Sequence, residues 1–171
     1  TPSLIRRLVP VAEELDLRLG WELHAPLGPN SPKVMAIREM YDEVQSDRLG
    51  FVADFSSTMR GMSPALFHGL RKKGLDDEGL AELQRIWIKP DDINARHAEF
   101  VEYLNSRGIA PESLGSFARL AFNMHGHVPV EEWRDIMHQI VHVHAKFYDI
   151  DENGDEPAID YPALVKVFVD E

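Results

Sequence analysis

The sequence predicts an α/β fold in which helices alternate with the strands of a parallel sheet. Three short apolar segments have the length and the aromatic or β-branched content of buried strands, at 19–24, 49–55 and 140–147. Segments with helical periodicity precede the first strand and separate it from the second. This order of helix, strand, helix and strand is typical of parallel α/β proteins.

The first strand follows a predicted helix at 3–15, in which apolar residues recur at every third or fourth position. A second predicted helix spans 31–44 and begins with Ser31 and Pro32, a capping residue followed by proline at the first helical position. That helix connects the first predicted strand with the second, so the two form one strand–helix–strand unit.

The stretch 58–138, between the second and third strands, is predicted to be a helical insertion. It contains four further helical patterns and the start of a fifth, at 64–73, 76–87, 91–106, 111–124 and from Val130 onward. Acidic residues stand at several of their starts, where the helix dipole favours negative charge: Asp76, Asp77, Glu78, Asp91, Asp92, Glu131 and Glu132. A last helix is predicted at 161–169, after the third strand.

The composition is that of a globular protein and excludes several functional classes. Of 171 residues, 44% are apolar and 27% are charged, and 18 basic against 29 acidic residues give a net charge of -11. Because nucleic-acid-binding proteins carry a basic surface, we expect no nucleic-acid partner. No apolar run approaches the roughly 18 residues of a membrane span, so no membrane partner is expected. The absence of cysteine excludes disulfides and thiolate metal sites, and it fits a reducing, cytoplasmic location.

Polar side chains follow one face of each predicted strand, toward its C-terminal end. They are Glu22, His24, Asp54, His142, His144 and Lys146. Strands of a parallel sheet that helices cover are apolar on both faces, so these side chains require another explanation. Burying acids and imidazoles without partners is costly. A shared divalent cation, whether manganese, magnesium, cobalt or zinc, would satisfy them together.

The motifs around these residues resemble the xylose isomerase-like TIM barrels, a family of sugar phosphate isomerases and epimerases. They are W-E-L-H-A-P at 21–26, F-V-A-D-F-S at 51–56 and V-H-V-H-A-K-F-Y at 141–148. The resemblance implies a partial (β/α)8 TIM barrel over 1–171 that comprises strands five to seven, with 58–138 inserted. The stretch 144–151, together with I-D-Y-P at 159–162, is similar to a subgroup that includes C-glycoside deglycosidase catalytic subunits.

The resemblance implies a metal-dependent isomerase or epimerase that acts through an enediolate on a sugar or glycoside. Matched to the family pattern, Glu22, Asp54 and His144 are metal ligands, and the family's fourth ligand, a Glu on strand eight, is expected beyond this chain. Glu22 is also a candidate to move the proton. The remaining catalytic candidates line the substrate pocket: His24, His142 and Lys146. Lys146 has an alternative role as the ion-pair partner of a ligand carboxylate.

Two other functions stay open at this point. A metal-dependent lyase or dehydratase, including one that cleaves C-glycosides, would use the same ligands and a base to expel a group β to a carbonyl. A calcium-binding module without enzymatic activity would instead rest on 149–160, which matches an EF-hand loop at its first, third, fifth and sixth positions. A weaker zinc candidate is the loop that contains His125 and His127.

The predicted strands are too few for a whole barrel. A closed barrel of this type takes about 250 residues, whereas the 171 residues here hold material for three barrel strands. We therefore expect a fragment of a longer enzyme that is inactive by itself. Its site would be completed elsewhere, in a homo-oligomer or a hetero-oligomer.

Overall fold

The computed structural model describes residues 2–90 and 92–169 and shows a mixed α/β fold around a three-stranded parallel sheet. The strands are β1 (Leu19–Leu23), β2 (Leu49–Asp54) and β3 (Ile140–His144), with β2 in the middle. All three predicted strands are confirmed, although β3 ends at His144 rather than at 147. The assignment of these strands to positions five to seven of a barrel stays a prediction.

Two helices accompany β1 and β2 as the periodicity predicted. They are α1 (Pro2–Glu14) and α2 (Pro32–Val44), the latter with Pro32 in its first turn. The ring of Tyr41 in α2 lies 5.1 Å from the ring of Phe51 in β2, so α2 covers the apolar face of the sheet. The predicted last helix is also present, as α7 (Tyr161–Val169).

The segment between β2 and β3 is helical, and its helices share one apolar core with the sheet. It contains α3 (Pro64–Lys72), α4 (Asp77–Trp87), α5 (Ile93–Ser106), a 3-10 turn (Pro111–Leu114), α6 (Phe117–Asn123) and a 3-10 helix (Val130–Gln139). Asp76 and Asp92 cap α4 and α5 through their side chains. Asp91 lies outside the described residues.

Two of the helical predictions were wrong in detail. The helix predicted at 111–124 is divided into a 3-10 turn and α6, because Gly115 between them adopts a φ of 61°, which ends a right-handed helix. The segment that begins at Val130 is a 3-10 helix rather than an α-helix. Among the described residues, no helix has the length and apolar content needed to cross a membrane.

A register shift in β3 determines which face its histidines occupy. Phe51 pairs with Ile140 but Val52 pairs with His142, so Val141 is the extra residue of the shift. Paired residues of neighbouring strands point to the same face of a sheet, and a slip of one residue turns every side chain over. The shift therefore places His142 and His144 on the face that carries Asp54.

The room for Val141 comes from glycine in β2. A Cβ atom at Gly50 would lie 2.3 Å from a methyl carbon of Val141 and 2.6 Å from the carbonyl oxygen of Gln139. No side chain fits at position 50 unless the backbone where β3 begins moves away from β2. Gly50 is therefore required by the close approach of the two strands.

Candidate metal centre

Three of the predicted ligands meet at the C-terminal ends of the three strands. Glu22, Asp54 and His144 each offer a ligand atom, and these atoms lie within 4.8 Å of one another. Nδ1 of His144 is 2.9 Å from Oε1 of Glu22 and 3.9 Å from Oδ2 of Asp54. Two carboxylate oxygens thus face the same imidazole nitrogen.

Asp54 is the buried member of this group. Its side chain is fully buried, Oδ1 accepts a hydrogen bond from the backbone N–H of Ser56, and Oδ2 accepts one from Nζ of Lys146 at 2.7 Å. Burial raises the pKa of Asp54, but the hydrogen bonds from Lys146 and Ser56 together outweigh that effect and hold the pKa below its usual value. Asp54 is therefore a carboxylate at neutral pH.

The donor set fits a divalent cation. Two carboxylates and one imidazole suit manganese, magnesium, cobalt or zinc, and three protein ligands leave further positions for water or substrate oxygens. Glu22 and His144 keep 44% of their side-chain surface exposed, so this side of the centre is accessible to a ligand. Among the described residues, this is the one group of three or more His, Asp or Glu side chains arranged to hold a metal ion.

The predicted catalytic histidines lie beside the centre. The ring of His142 packs edge-on against the ring of His144, with the centroids 5.5 Å apart. His24 follows the last residue of β1, and its Nδ1 is 2.6 Å from the carbonyl oxygen of Ala25. Since a carbonyl only accepts hydrogen bonds, Nδ1 is the donor in this contact, and the matching tautomer has its lone pair on Nε2. Both histidines are exposed.

Lys146 adopts the ion-pair role that was its alternative prediction. Its ammonium binds Asp54, and its own backbone carbonyl accepts a hydrogen bond of 2.6 Å from the hydroxyl of Tyr161. Burial, together with the negative charges of Glu156 and Asp54, raises the pKa of Tyr161 to about 12, so this hydroxyl stays a donor.

Sequence reasoning missed the residues that hold the centre in place. Besides its backbone contact with Asp54, Ser56 accepts a hydrogen bond from the N–H of Ala25 on its hydroxyl, which ties β2 to β1. The position of Ser56, two residues after an Asp that ends a strand, could have predicted its backbone contact, because such aspartates accept a hydrogen bond from the N–H two residues on. The role of Tyr161 had no local signal.

The calcium alternative finds no site in this structure. Asp151 accepts hydrogen bonds from the N–H groups of Asn153 and Asp155, which closes a turn. Glu156 is buried and accepts three backbone N–H groups, from Tyr148, Asp149 and Ala158. The segment before the loop is β3, whereas an EF-hand loop follows a helix. The carboxylates of Asp151 and Glu156 therefore shape the loop itself.

The two histidines of the proposed zinc loop serve the packing of the helical segment. His125 is buried, with Nε2 3.0 Å from the hydroxyl of Ser63. His127 directs Nδ1 to the carbonyl of Met59, and its ring lies 4.9 Å from that of Trp87. Because the two rings bind different partners, they do not form a metal site.

The fold and the site together define an α/β protein with a carboxylate–imidazole centre suited to a divalent cation. No protein-family model matches the chain. Over 98% of its length, however, it is 60% identical to a C-glycoside deglycosidase alpha subunit of Arthrobacter globiformis, 47% of which it covers. It is 33% identical over 99% of its length to a 3'-dehydrocarminate deglycosidase alpha subunit of a Microbacterium species, covering 51% of that protein. A C-glycoside deglycosidase alpha subunit of Microbacterium trichothecenolyticum is 32% identical over 99% of the chain, with 48% of that protein covered.

The chain spans about half the length of the curated relatives it matches. The similarity confirms the resemblance to C-glycoside deglycosidase subunits that the motifs after β3 indicated. The wider resemblance to xylose isomerase-like barrels stays a prediction, and none of these relatives is named an isomerase or an epimerase.

Proposed function

We propose that this chain supplies part of the active site of a metal-dependent lyase that cleaves C-glycosides by elimination. The convergence of Glu22, Asp54 and His144 at the ends of three adjacent strands carries the proposal, because their ligand atoms lie within 4.8 Å of one another, close enough to bind one divalent cation together. The relatives favour elimination over the isomerisation implied by the broader family resemblance, since they are named deglycosidases.

The proposed substrate is a glycoside whose sugar carries a ketone at C3, two carbons away from C1, the carbon to which the aglycone is attached. A base removes the proton from the intervening carbon, and the C–H electron pair becomes a C=C double bond to C1. The bond between C1 and the aglycone carbon breaks, its electron pair leaves with the aglycone, and the aglycone takes up one proton. A divalent cation held by the three ligands would polarise the ketone and acidify the transferred proton.

His24 is our candidate for the base. The hydrogen bond from its Nδ1 to the carbonyl of Ala25 fixes the tautomer, so Nε2 is free to accept a proton. His142 lies against His144 and is the second candidate for proton transfer. Lys146 keeps Asp54 ionised and in place, which makes it a positioning residue in this reaction.

We also propose that other protein segments complete this site. Glu22 and both candidate proton-transfer histidines are exposed on the open face of the sheet, whereas a site for carbanion chemistry excludes water. The relatives are alpha subunits about twice as long as the matched region. The completing segments would therefore come from further chain, from a second subunit or from both.

The experiment is a product analysis of the full-length protein together with any subunit that co-purifies with it. A keto C-glycoside is supplied with Mn²⁺, and the free aglycone and any isomerised sugar are separated by liquid chromatography. We expect release of the aglycone that falls at least about a hundredfold in Asp54→Asn. Glu102→Gln, which changes an exposed acid on α5, serves as the matched control. An isomerised glycoside with no free aglycone would contradict the proposal.

A further inference from the structure

Phe147 is a large aromatic side chain that stays exposed just beyond the C-terminal end of β3. It is 61% exposed, although it lies in the loop directly after β3. The preceding residue, Lys146, binds the buried Asp54. An exposed phenyl ring thus sits one residue away from the side chain that positions a metal ligand.

The ring of Phe147 is held in a defined orientation. It stacks on the ring of Tyr161 with a centroid distance of 4.7 Å and an interplanar angle of 10°. Tyr161 is itself fixed, because its hydroxyl binds the carbonyl of Lys146 and its ring meets the ring of Phe55 edge-on at 5.7 Å. One face of Phe147 is therefore covered by Tyr161, while 61% of the residue stays exposed.

We propose that Phe147, supported by Tyr161, is a stacking platform for the flat aromatic aglycone of the substrate. This inference rests on the proposed elimination. Heterolytic cleavage of a carbon–carbon bond leaves an electron pair with the aglycone. A phenolic ring accepts this pair when it reacts as its keto tautomer, in which the phenol proton has moved to the carbon that is bound to C1, because cleavage then restores the aromatic ring and leaves a phenolate that takes up a proton. A flat ring of this kind packs favourably on the open face of a rigid phenyl ring.

The platform and the ligand group both lie at the C-terminal ends of the strands. The sugar would lie over the ligands at the ends of β1, β2 and β3, and its aglycone would extend toward the loop that begins after His144. Tyr161 ties that loop to α7 through the bond to Lys146, so the platform and the metal ligand Asp54 share one set of contacts.

The first test compares two keto C-glycosides that share one sugar but carry either a single-ring phenol or a fused three-ring phenol. In the full-length enzyme, Phe147→Leu is expected to raise KM for the fused-ring substrate about fivefold, with kcat within about twofold. Phe147→Trp should restore the low KM. Ile150→Ala, which removes an exposed apolar side chain from the same loop, is the control and should change neither constant.

The second test measures binding without catalysis. The probe 2,4,6-trihydroxyacetophenone is titrated into the chain, and its binding is followed by NMR through the aromatic resonances of Phe147 and Tyr161. We expect the probe to bind the chain itself, and Phe147→Leu to weaken binding about threefold or more. Because Phe147 is exposed, the variant should keep the fold, which its NMR spectrum checks directly.

The two tests separate the platform from the proposed function. If C-glycosides are not cleaved but the probe binds through Phe147, the platform stands and the elimination is wrong. If cleavage proceeds while Phe147→Leu leaves the fused-ring KM unchanged, the elimination stands and the platform is overturned. Absence of probe binding to the unmodified chain, or binding unchanged in Phe147→Leu, also overturns it.

Discussion

The ammonium of Lys146 lies 2.7 Å from Oδ2 of Asp54, the same carboxylate oxygen that faces Nδ1 of His144. The ion pair joins the loop after β3 to the end of β2. It also places a positive charge next to the oxygen that a cation would share, so Lys146 and a bound metal ion would compete for Asp54. This competition makes the role of Lys146 measurable.

Replacing Lys146 by Met should lower stability in the absence of metal and increase affinity for a cation. The substitution leaves the fully buried Asp54 without its counter-charge, which we expect to cost about 1–3 kcal/mol of unfolding free energy. Urea unfolding with and without Mn²⁺ measures both effects. Lys72→Met, on the exposed end of α3, is the control. Equal stabilities for the two variants would show that the ion pair contributes nothing to the fold.

Replacing either the buried Asp54 or the exposed Glu22 should weaken metal binding by the chain itself. We expect Asp54→Asn and Glu22→Gln each to reduce Mn²⁺ affinity at least about tenfold, since each deletes one of three anionic or imidazole donors. Isothermal titration calorimetry on the chain gives the affinities without reference to activity. Glu102→Gln should bind Mn²⁺ as the unmodified chain does, and the same result for both ligand variants would refute the metal centre.

The buried His125 should make stability depend on pH in mildly acidic solution. Burial lowers the pKa of His125 from 6.5, and the carbonyl of Leu120 offsets this only in part. The unfolded chain then binds more protons than the folded chain between the two pKa values, so stability is complete above about pH 6.5 and falls as the pH drops below it. The slope attributable to one such histidine is at most about 1.4 kcal/mol per pH unit.

Urea midpoints between pH 5 and pH 8 test this pH dependence. His125→Gln should remove the additional slope, because a neutral side chain then faces Ser63 at every pH. His68→Gln, an exposed histidine on α3, should leave the slope unchanged. An identical pH profile for the unmodified chain and His125→Gln would mean that His125 titrates equally in both states.

The strands, and the polar side chains that meet at their ends, were predictable from the sequence because both depend on local pattern. Alternation between apolar and polar residues placed Glu22 and Asp54 on one face of their strands, and the order of elements indicated a parallel sheet. Asp76 was recognisable as an acid at a helix start because the helix dipole acts on residues within one turn. These features require no knowledge of distant contacts.

The supporting contacts were not predictable because they join residues that are distant in the sequence. The hydroxyl of Tyr161 reaches the carbonyl of Lys146 across a loop that the sequence presented as a calcium-binding motif. The partner of Lys146 is Asp54, 92 positions away. Gly115 ended a helix whose apolar periodicity continues on both sides of it, since a backbone conformation and not a side-chain pattern decided the boundary.

The register shift at Val141 leads to the last prediction, which concerns Gly50. A methyl group at Gly50 would lie 2.3 Å from Val141 and 2.6 Å from the backbone of Gln139, so β3 would have to move or slip in register. We expect Gly50→Ala to lower the unfolding free energy by about 1–3 kcal/mol. It should also weaken Mn²⁺ binding, because His144 reaches Asp54 only in the present register.

Gly61→Ala is the matched control, since no atom lies within 4 Å of its new Cβ, and its stability should be unchanged or slightly higher. Urea unfolding and Mn²⁺ calorimetry distinguish the outcomes. If Gly50→Ala binds Mn²⁺ with full affinity, the orientation of His144 does not depend on the close approach of β2 and β3.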